Sequence, residues 1–236
     1  MEFTEEQKAI FDFVAHGSGH GIIDAVAGAG KTTTIMECAR YIPEDATALF
    51  CAFNNSIASE IRKKFQKRGM SHIVVKTMHA LGLQILNENS HIGEKAKLQN
   101  NKYETLLRSP DLEEKFNPFI AQMSGERGGS FDHLFRRRLL NINQKFRLTL
   151  CGESFEEFRE MVLKFRIFRG RAPEQLLSPE EKEQARINLM AFQECNRILL
   201  NAGNLLAQEK LIIDYTDMLY LPHLWRQQPF NKFHFL

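Results

Sequence analysis

Asp24-Ala25-Val26-Ala27-Gly28-Ala29-Gly30-Lys31-Thr32-Thr33-Thr34 decides how the rest of the chain is read. It follows a short apolar run, Gly21-Ile22-Ile23, and precedes a helical pattern. Strand, loop of small residues and helix in that order predict a phosphate-binding loop. Small residues let successive backbone N–H groups turn inward around a phosphate, Lys31 supplies a mobile positive charge, and the Thr32 hydroxyl can ligate magnesium. The helix that Lys31 opens adds unpaired amide donors and the positive end of its dipole. Ala25 stands at the first glycine position of the usual G-x-x-x-x-G-K-[ST] pattern, whereas Gly28, Gly30, Lys31 and Thr32 keep to it. Alanine serves wherever φ stays negative, and the closest approach to phosphate falls between Gly28 and Lys31. Nucleotide binding here is the first expectation, weighed against an ordinary strand-turn-helix with a chance Gly-Lys-Thr.

Working outward, 236 residues with 43% hydrophobic content can bury one large core or two modest ones. No apolar run approaches the roughly 20 residues of a membrane span. The start, Met1-Glu2-Phe3-Thr4-Glu5-Glu6, is acidic where a signal peptide is basic and then apolar. A cytoplasmic protein without a membrane partner is therefore expected. Four cysteines (Cys38, Cys51, Cys151, Cys195) show no C-x-x-C spacing and eight histidines form no ligand pattern, which supports neither a disulfide framework nor zinc. A net charge of +2 selects no partner by itself.

Upstream of the loop, Thr4-Glu5-Glu6-Gln7 fits a capping box for a helix from about Thr4 to Ala15. Two readings of Gln7 stand side by side. Its side chain can close that cap, or its amide, donor and acceptor together, can meet the N6/N7 edge of adenine. Downstream, a loop helix over about Lys31 to Arg40 leads to a buried strand, Thr47 to Phe53. Asn54-Asn55-Ser56 then caps a helix running from Ile57 to about Lys67. Ile73-Val74-Val75 predicts a further strand, and Thr77-Met78-His79 leads into a helix ending near Asn89. Strands alternating with helices imply a parallel, doubly wound sheet, whose ligands gather at the carboxyl ends of the strands. From about Ser90 to Gln208 the alternation stops. That stretch reads as an inserted helical subdomain with polar turns at Ser124–Ser130 and Gly170–Pro173. It carries Arg136-Arg137-Arg138 and the basic aromatic stretch Lys164 to Arg171, read either as a phosphate-backbone contact with base stacking or as a solvated face over a Phe-rich core. Leu211 to Leu219 predicts a helix opening, and Lys232 to Leu236 the start of another strand.

With these pieces in place the sequence resembles the UvrD/Rep-type DNA helicases of the first helicase superfamily, and its loop resembles the F-box DNA helicase branch. Phe3-Thr4-Glu5-Glu6-Gln7 is similar to the family's Q motif, which implies an adenine contact for Gln7. Ala25 to Thr33 is similar to motif I, implying that Ala27, Gly28, Ala29, Gly30, Lys31, Thr32 and Thr33 hold ATP, with Thr32 on Mg²⁺ and Lys31 and Thr32 in the catalytic centre. Ala52 to Ile61 resembles motif Ia and Lys76 to Gly82 motif Ib. These imply that Phe53, Asn54, Asn55, Thr77 and His79 line a path for single-stranded DNA. Ser56 departs from the pattern, since many members carry lysine there. The resemblance implies an α/β fold, a P-loop RecA-like parallel sheet with an inserted helical subdomain. Residues 1-89 and 209-236 would form the motor domain, and 90-208 the insertion. It also implies 3′ to 5′ translocation and a DNA-repair setting.

Asp214-Tyr215-Thr216-Asp217-Met218 resembles the segment that precedes motif II, and Phe233 to Leu236 the strand that carries it. The V-D-E-x-Q-D of motif II (Walker B), the second motor domain and the arginine finger do not follow within the chain. Residues 1–236 are therefore expected to bind nucleotide without useful turnover, and an open sheet edge is expected to make folding marginal. A non-enzymatic nucleotide- or DNA-binding adaptor and a small P-loop metabolite kinase are the alternatives.

Overall fold

Thr4 begins the first helix by the mechanism its sequence predicts. Its hydroxyl accepts from the Gln7 amide at 3.3 Å while the Gln7 carboxamide oxygen accepts from the Thr4 amide at 3.0 Å. The helix, α1, spans Glu5–His16. A computed structural model describes residues 2–91, 93–123, 129–168 and 177–235. It divides into two units, residues 1–81 with 229–236, and residues 82–228.

In the first unit the loop feeds α2 (Lys31–Cys38), followed by a 3-10 turn, Ala39–Tyr41. Strand β1 (Ala48–Ala52) then leads to α3 (Asn55–Lys67), and β2 (Ile73–Thr77) to the first turn of α4 (Met78–Glu88). β1 and β2 pair in parallel, from Ala48 opposite Ile73 to Ala52 opposite Thr77. Met36 and Ala39 pack with Ala48, Ala52, Ile61, Phe65 and Val75 into one core. α3 starts where Asn54 accepts from the Ile57 amide at 2.9 Å, and it buries Ala58, Ile61 and Phe65, a helical spacing.

The parallel β1–β2 pair agrees with the strand–helix alternation, but a RecA-like sheet is not evident. Gly21-Ile22-Ile23 is not a strand, and Ile22 is 97% exposed. Two isoleucines after Gly17, Gly19 and Gly21 offer few ladder bonds against the high backbone entropy of glycine. The strand expected from Lys232 onward is a single bridge, Phe235 to Ala48, with the Leu49 amide donating to the Phe235 carbonyl at 2.9 Å.

The second unit is mostly helical. It holds the rest of α4, then α5 (Lys102–Leu107), α6 (Pro110–Ile120), α7 (Gly129–Thr149), α8 (Phe155–Lys164), α9 (Pro179–Lys210) and α10 (Asp217–Leu224). Two short strands, β3 (Lys97–Leu98) and β4 (Ile212–Ile213), pair in parallel and tie the start of the helical stretch to its end. Leu139 and Ile142 of α7 share the main core with Phe192, Cys195 and Leu199 of α9 and with Phe158 of α8. The predicted turns at 124–128 and 170–173, and Arg169 to Arg171, lie outside the described residues.

Residues 82–89 and 209–228 pack with this helical unit. Leu86 of α4 shares a core with Leu200, Ile213 and Leu221, and the Asn89 side-chain Nδ2 donates to the Gln228 carbonyl at 3.0 Å. Gly82 lies against the backbone of Met218, where any Cβ would collide with the Met218 carbonyl. The helix expected to open at Leu211 starts six residues later, at Asp217, because β4 takes the apolar pair Ile212-Ile213 first.

Candidate functional site

Two glycines shape the loop. Gly28 has φ 85° and Gly30 φ 75°, the left-handed region that costs an L-residue about 1–2 kcal/mol. A Cβ at Gly28 would meet nothing within 4 Å, so backbone conformation rather than space calls for glycine there. The Ala29 amide donates to the Val26 carbonyl at 3.3 Å and closes the turn over Ala27 and Gly28. Gly30 is the N-cap of α2, and no side chain caps that helix. The first-turn amides of an uncapped helix, here those of Lys31, Thr32 and Thr33, are the donors an anion takes up.

Lys31 Nζ donates to the Ala25 carbonyl at 2.8 Å and to the Val26 carbonyl at 2.7 Å, so the ammonium is folded back over the loop. Both acceptors are uncharged, which leaves the full charge of Lys31 unneutralised at the bend. Thr32 and Thr33 are exposed, as are Ala27, Gly28 and Ala29. Gln7 reaches this region too. Its Nε2 donates to the Thr34 hydroxyl at 2.8 Å and stands 3.8 Å from where a Cβ on Gly30 would lie. Thr34, buried and itself bonded to the Gly30 carbonyl at 3.2 Å, is a residue that sequence reasoning passed over.

The carboxyl ends of β1 and β2 form a second group. Ala52 is opposite Thr77, so Phe53 and Met78 leave the pair side by side. Phe53 is 92% exposed, an apolar ring with no core to enter. Asn54 uses its carboxamide oxygen to cap α3, and Asn55 is exposed in the first turn of that helix. Thr77 is buried, and its hydroxyl accepts from the Ala80 amide at 3.1 Å, which makes it a cap of α4. His79 is half-buried.

The UvrD/REP helicase N-terminal domain family matches the sequence over residues 4–235. The chain belongs to this family. UvrD-type proteins are DNA helicases and ATPases that use ATP with Mg²⁺. No curated protein and no solved structure matches the chain. Among the described residues no helix is long and apolar enough to cross a membrane, and no group of His, Cys, Asp or Glu is arranged to hold a metal ion. The loop itself fits the phosphate tail of the family's nucleotide, with its left-handed glycines, uncapped helix start and unneutralised ammonium. Thr32 is the residue there that would present a hydroxyl to Mg²⁺.

In the helical unit, the Asp214–Asp217 segment of the UvrD-type chain holds a buried ion cluster that the sequence did not disclose. Lys102 Nζ donates to Asp217 Oδ2 at 2.6 Å with both side chains fully buried. Arg147 bridges the two aspartates, donating to Asp214 Oδ1 at 2.7 Å, Asp214 Oδ2 at 2.8 Å and Asp217 Oδ1 at 2.8 Å. The aspartates also close on each other's backbone, Asp217 N to Asp214 Oδ1 at 2.8 Å and Asp214 N to Asp217 Oδ2 at 3.1 Å. Burial lowers the Lys102 pKa, with the neighbouring Asp217 charge opposing it. Burial acts in the same sense on Arg147 and is the largest single influence there, but the hydrogen bonds to Asp214 and the negative charges of Asp217 and Asp214 together outweigh it and raise the pKa. The segment thereby anchors α5, α7 and α10 to one another.

Proposed function

We propose that this UvrD-type chain is the N-terminal, nucleotide- and single-strand-binding part of an ATP-dependent DNA helicase of 3′ to 5′ polarity, of the F-box DNA helicase-like branch, working in DNA repair. The single observation that carries this reading is the Lys31 ammonium poised over the Ala25 and Val26 carbonyls beside the uncapped start of α2. The amides from Ala27 to Thr33 would hold the phosphates of ATP, the Thr32 hydroxyl would ligate Mg²⁺, and Gln7 would meet the adenine. Lys31 and Thr32 stabilise the charge that develops at the γ-phosphate, the kind of interaction on which phosphoryl transfer depends. Single-stranded DNA runs across Phe53, Asn54, Asn55 and His79, with Thr77 holding the turn that presents His79. Motor function belongs to residues 1–89 and 209–236, with 90–208 inserted.

Titration of a fluorescent ATP analogue with Mg²⁺ tests the reading. Removing one charged partner of a phosphate costs about 1.5–3 kcal/mol, so Lys31→Ala weakens binding roughly 10- to 100-fold. Thr32→Ala removes most of the Mg²⁺ dependence. Equal affinity in wild type and Lys31→Ala overturns the proposal.

A further inference from the structure

The helical unit contains an open basin of about 600 Å³ whose lining includes Arg137, Asn141, Gln144 and Arg147 of α7, together with Glu104 and Arg166. Arg147 is already committed to Asp214 and Asp217. Arg137 and Arg166 are exposed, and among the described residues neither guanidinium makes an ion pair or hydrogen bond. Arg166 is held at φ 48°, the left-handed region that a non-glycine residue rarely takes. Arg138, also on the wall, sits with its guanidinium 5.0 Å from the Phe168 ring. Among the described residues Glu104 is the one lining carboxylate outside the buried cluster, so their positive charge is in excess.

Two features say what kind of anion fits. Arg137, Asn141 and Gln144 follow one another at helical spacing on one face of α7. Seven residues of helix rise about 10 Å, against about 3.4 Å for each nucleotide of a strand in a duplex. The row is therefore longer than one phosphate, and it combines the guanidinium and carboxamide donors that proteins direct at phosphate and sugar. The aromatic rings, by contrast, are occupied. Tyr103 is buried beneath the Arg147 guanidinium at 4.0 Å, Phe165 carries Lys145 at 4.9 Å and Lys164 at 6.0 Å, and Phe168 packs on Phe192 at 5.1 Å. Among the described residues base stacking has no platform here.

We propose that this basin is a second nucleic-acid contact, one that grips the phosphodiester backbone of a strand through Arg137 and Arg166 without reading its bases. It rests on the DNA-binding reading above only for the choice of a strand over a free phosphate ester.

Fluorescence anisotropy of the full chain with oligo-dT and with a mixed-sequence single strand, across a salt series, tests it. Arg137→Ala with Arg166→Asn, asparagine being tolerant of left-handed φ, removes both contacts. Each phosphate contributes about 0.7 to the slope of log K against log salt. The double variant is expected to flatten that slope by about 1.4 for both oligonucleotides, with melting temperature and ATP-analogue affinity unchanged. Arg137→Glu, which leaves the Arg166 backbone untouched, is expected to flatten it by at least about 0.7 and serves if the double variant does not fold. An unchanged slope in a folded variant overturns the proposal, and loss of binding in Phe53→Ala alongside it leaves the helicase reading standing. A flattened slope with Phe53→Ala neutral supports the basin and removes Phe53 from the strand path. Displacement of wild-type protein from the strand by equimolar tripolyphosphate, with no change of slope in the double variant, assigns the basin to free phosphate esters and overturns the strand.

Discussion

Gln7 Nε2 donates to the Thr34 hydroxyl at 2.8 Å while its oxygen holds the Thr4 amide at 3.0 Å, so one side chain closes the start of α1 and ties it to α2 one turn beyond the loop. Capping and proximity to the proposed nucleotide loop are thus simultaneous properties of Gln7, and substitution separates them. Gln7→Glu keeps the oxygen that caps and loses the amide donor. It is expected to change stability by less than about 0.5 kcal/mol while weakening ATP-analogue binding. Gln7→Ala loses both and is expected to cost about 1 kcal/mol in addition. Paired urea and nucleotide titrations check this, and equal effects of the two variants on binding and stability would remove the separate role of the amide.

Exposure of the Phe53 ring at 92% leaves it nothing to stabilise in the core. Phe53→Ala is expected to leave the melting temperature within about 1 °C and to weaken single-strand binding by about 1–3 kcal/mol, the worth of one stacked base. Wild-type affinity in the variant would remove Phe53 from the strand path.

Asp217 serves two buried cations at once, whereas Lys102 has one carboxylate. Asp217→Ala leaves the Lys102 ammonium stranded and is expected to cost about 3–5 kcal/mol. Lys102→Met keeps Asp217 bonded to Arg147 and to the Asp214 amide, so the loss is expected to be clearly smaller. Urea unfolding of the two variants compares them, and a larger loss for Lys102→Met would reverse the assignment of Asp217 as the hub.

Cys195 is fully buried in α9, and burial pushes its thiol up to about 12 from an ordinary 9.0. A group whose folded pKa lies above its unfolded one gives stability that is complete below the unfolded value and lost as pH rises through the folded one. Stability is therefore expected to fall from about pH 9 upward, by on the order of 4 kcal/mol if the whole window to pH 12 is crossed. Tyr103, also raised by burial, adds a fall of the same sign above pH 10. Burial raises the Cys38, Cys51 and Cys151 thiols as well, so they add falls of the same sign from about pH 9, and Cys195→Ala is expected to reduce the decline rather than abolish it. A slope that the substitution leaves unchanged would assign the alkaline loss to other groups.

What the sequence disclosed was local. The Thr4 and Asn54 caps, the apolar runs of β1 and β2 and the left-handed glycines of the loop each follow from neighbouring residues, and the structure contains them. The expected strand ahead of the loop did not form because Gly21-Ile22-Ile23 is too short to hold an extended conformation without a paired neighbour. The ion cluster was invisible for another reason. Lys102 and Asp217 are 115 positions apart, and Arg147 and Asp214 are 67 apart, so no window of sequence holds both members of either pair. Lys164 to Phe168 was ambiguous because alternating cations and rings suit a nucleic-acid surface and a core edge equally. The fold resolves it by turning Phe165, Ile167 and Phe168 to the core and leaving Arg166 outside.

The contact of Gly82 with the Met218 carbonyl sets the closest approach of α4 to α10. It also makes position 82 a one-letter ruler. A relative bearing alanine or anything bulkier there must spread those two helices apart, and the displaced aspartate pair would re-aim its arginine. Divergence at this single site should therefore be accompanied by compensating exchange at positions 147, 214 and 217.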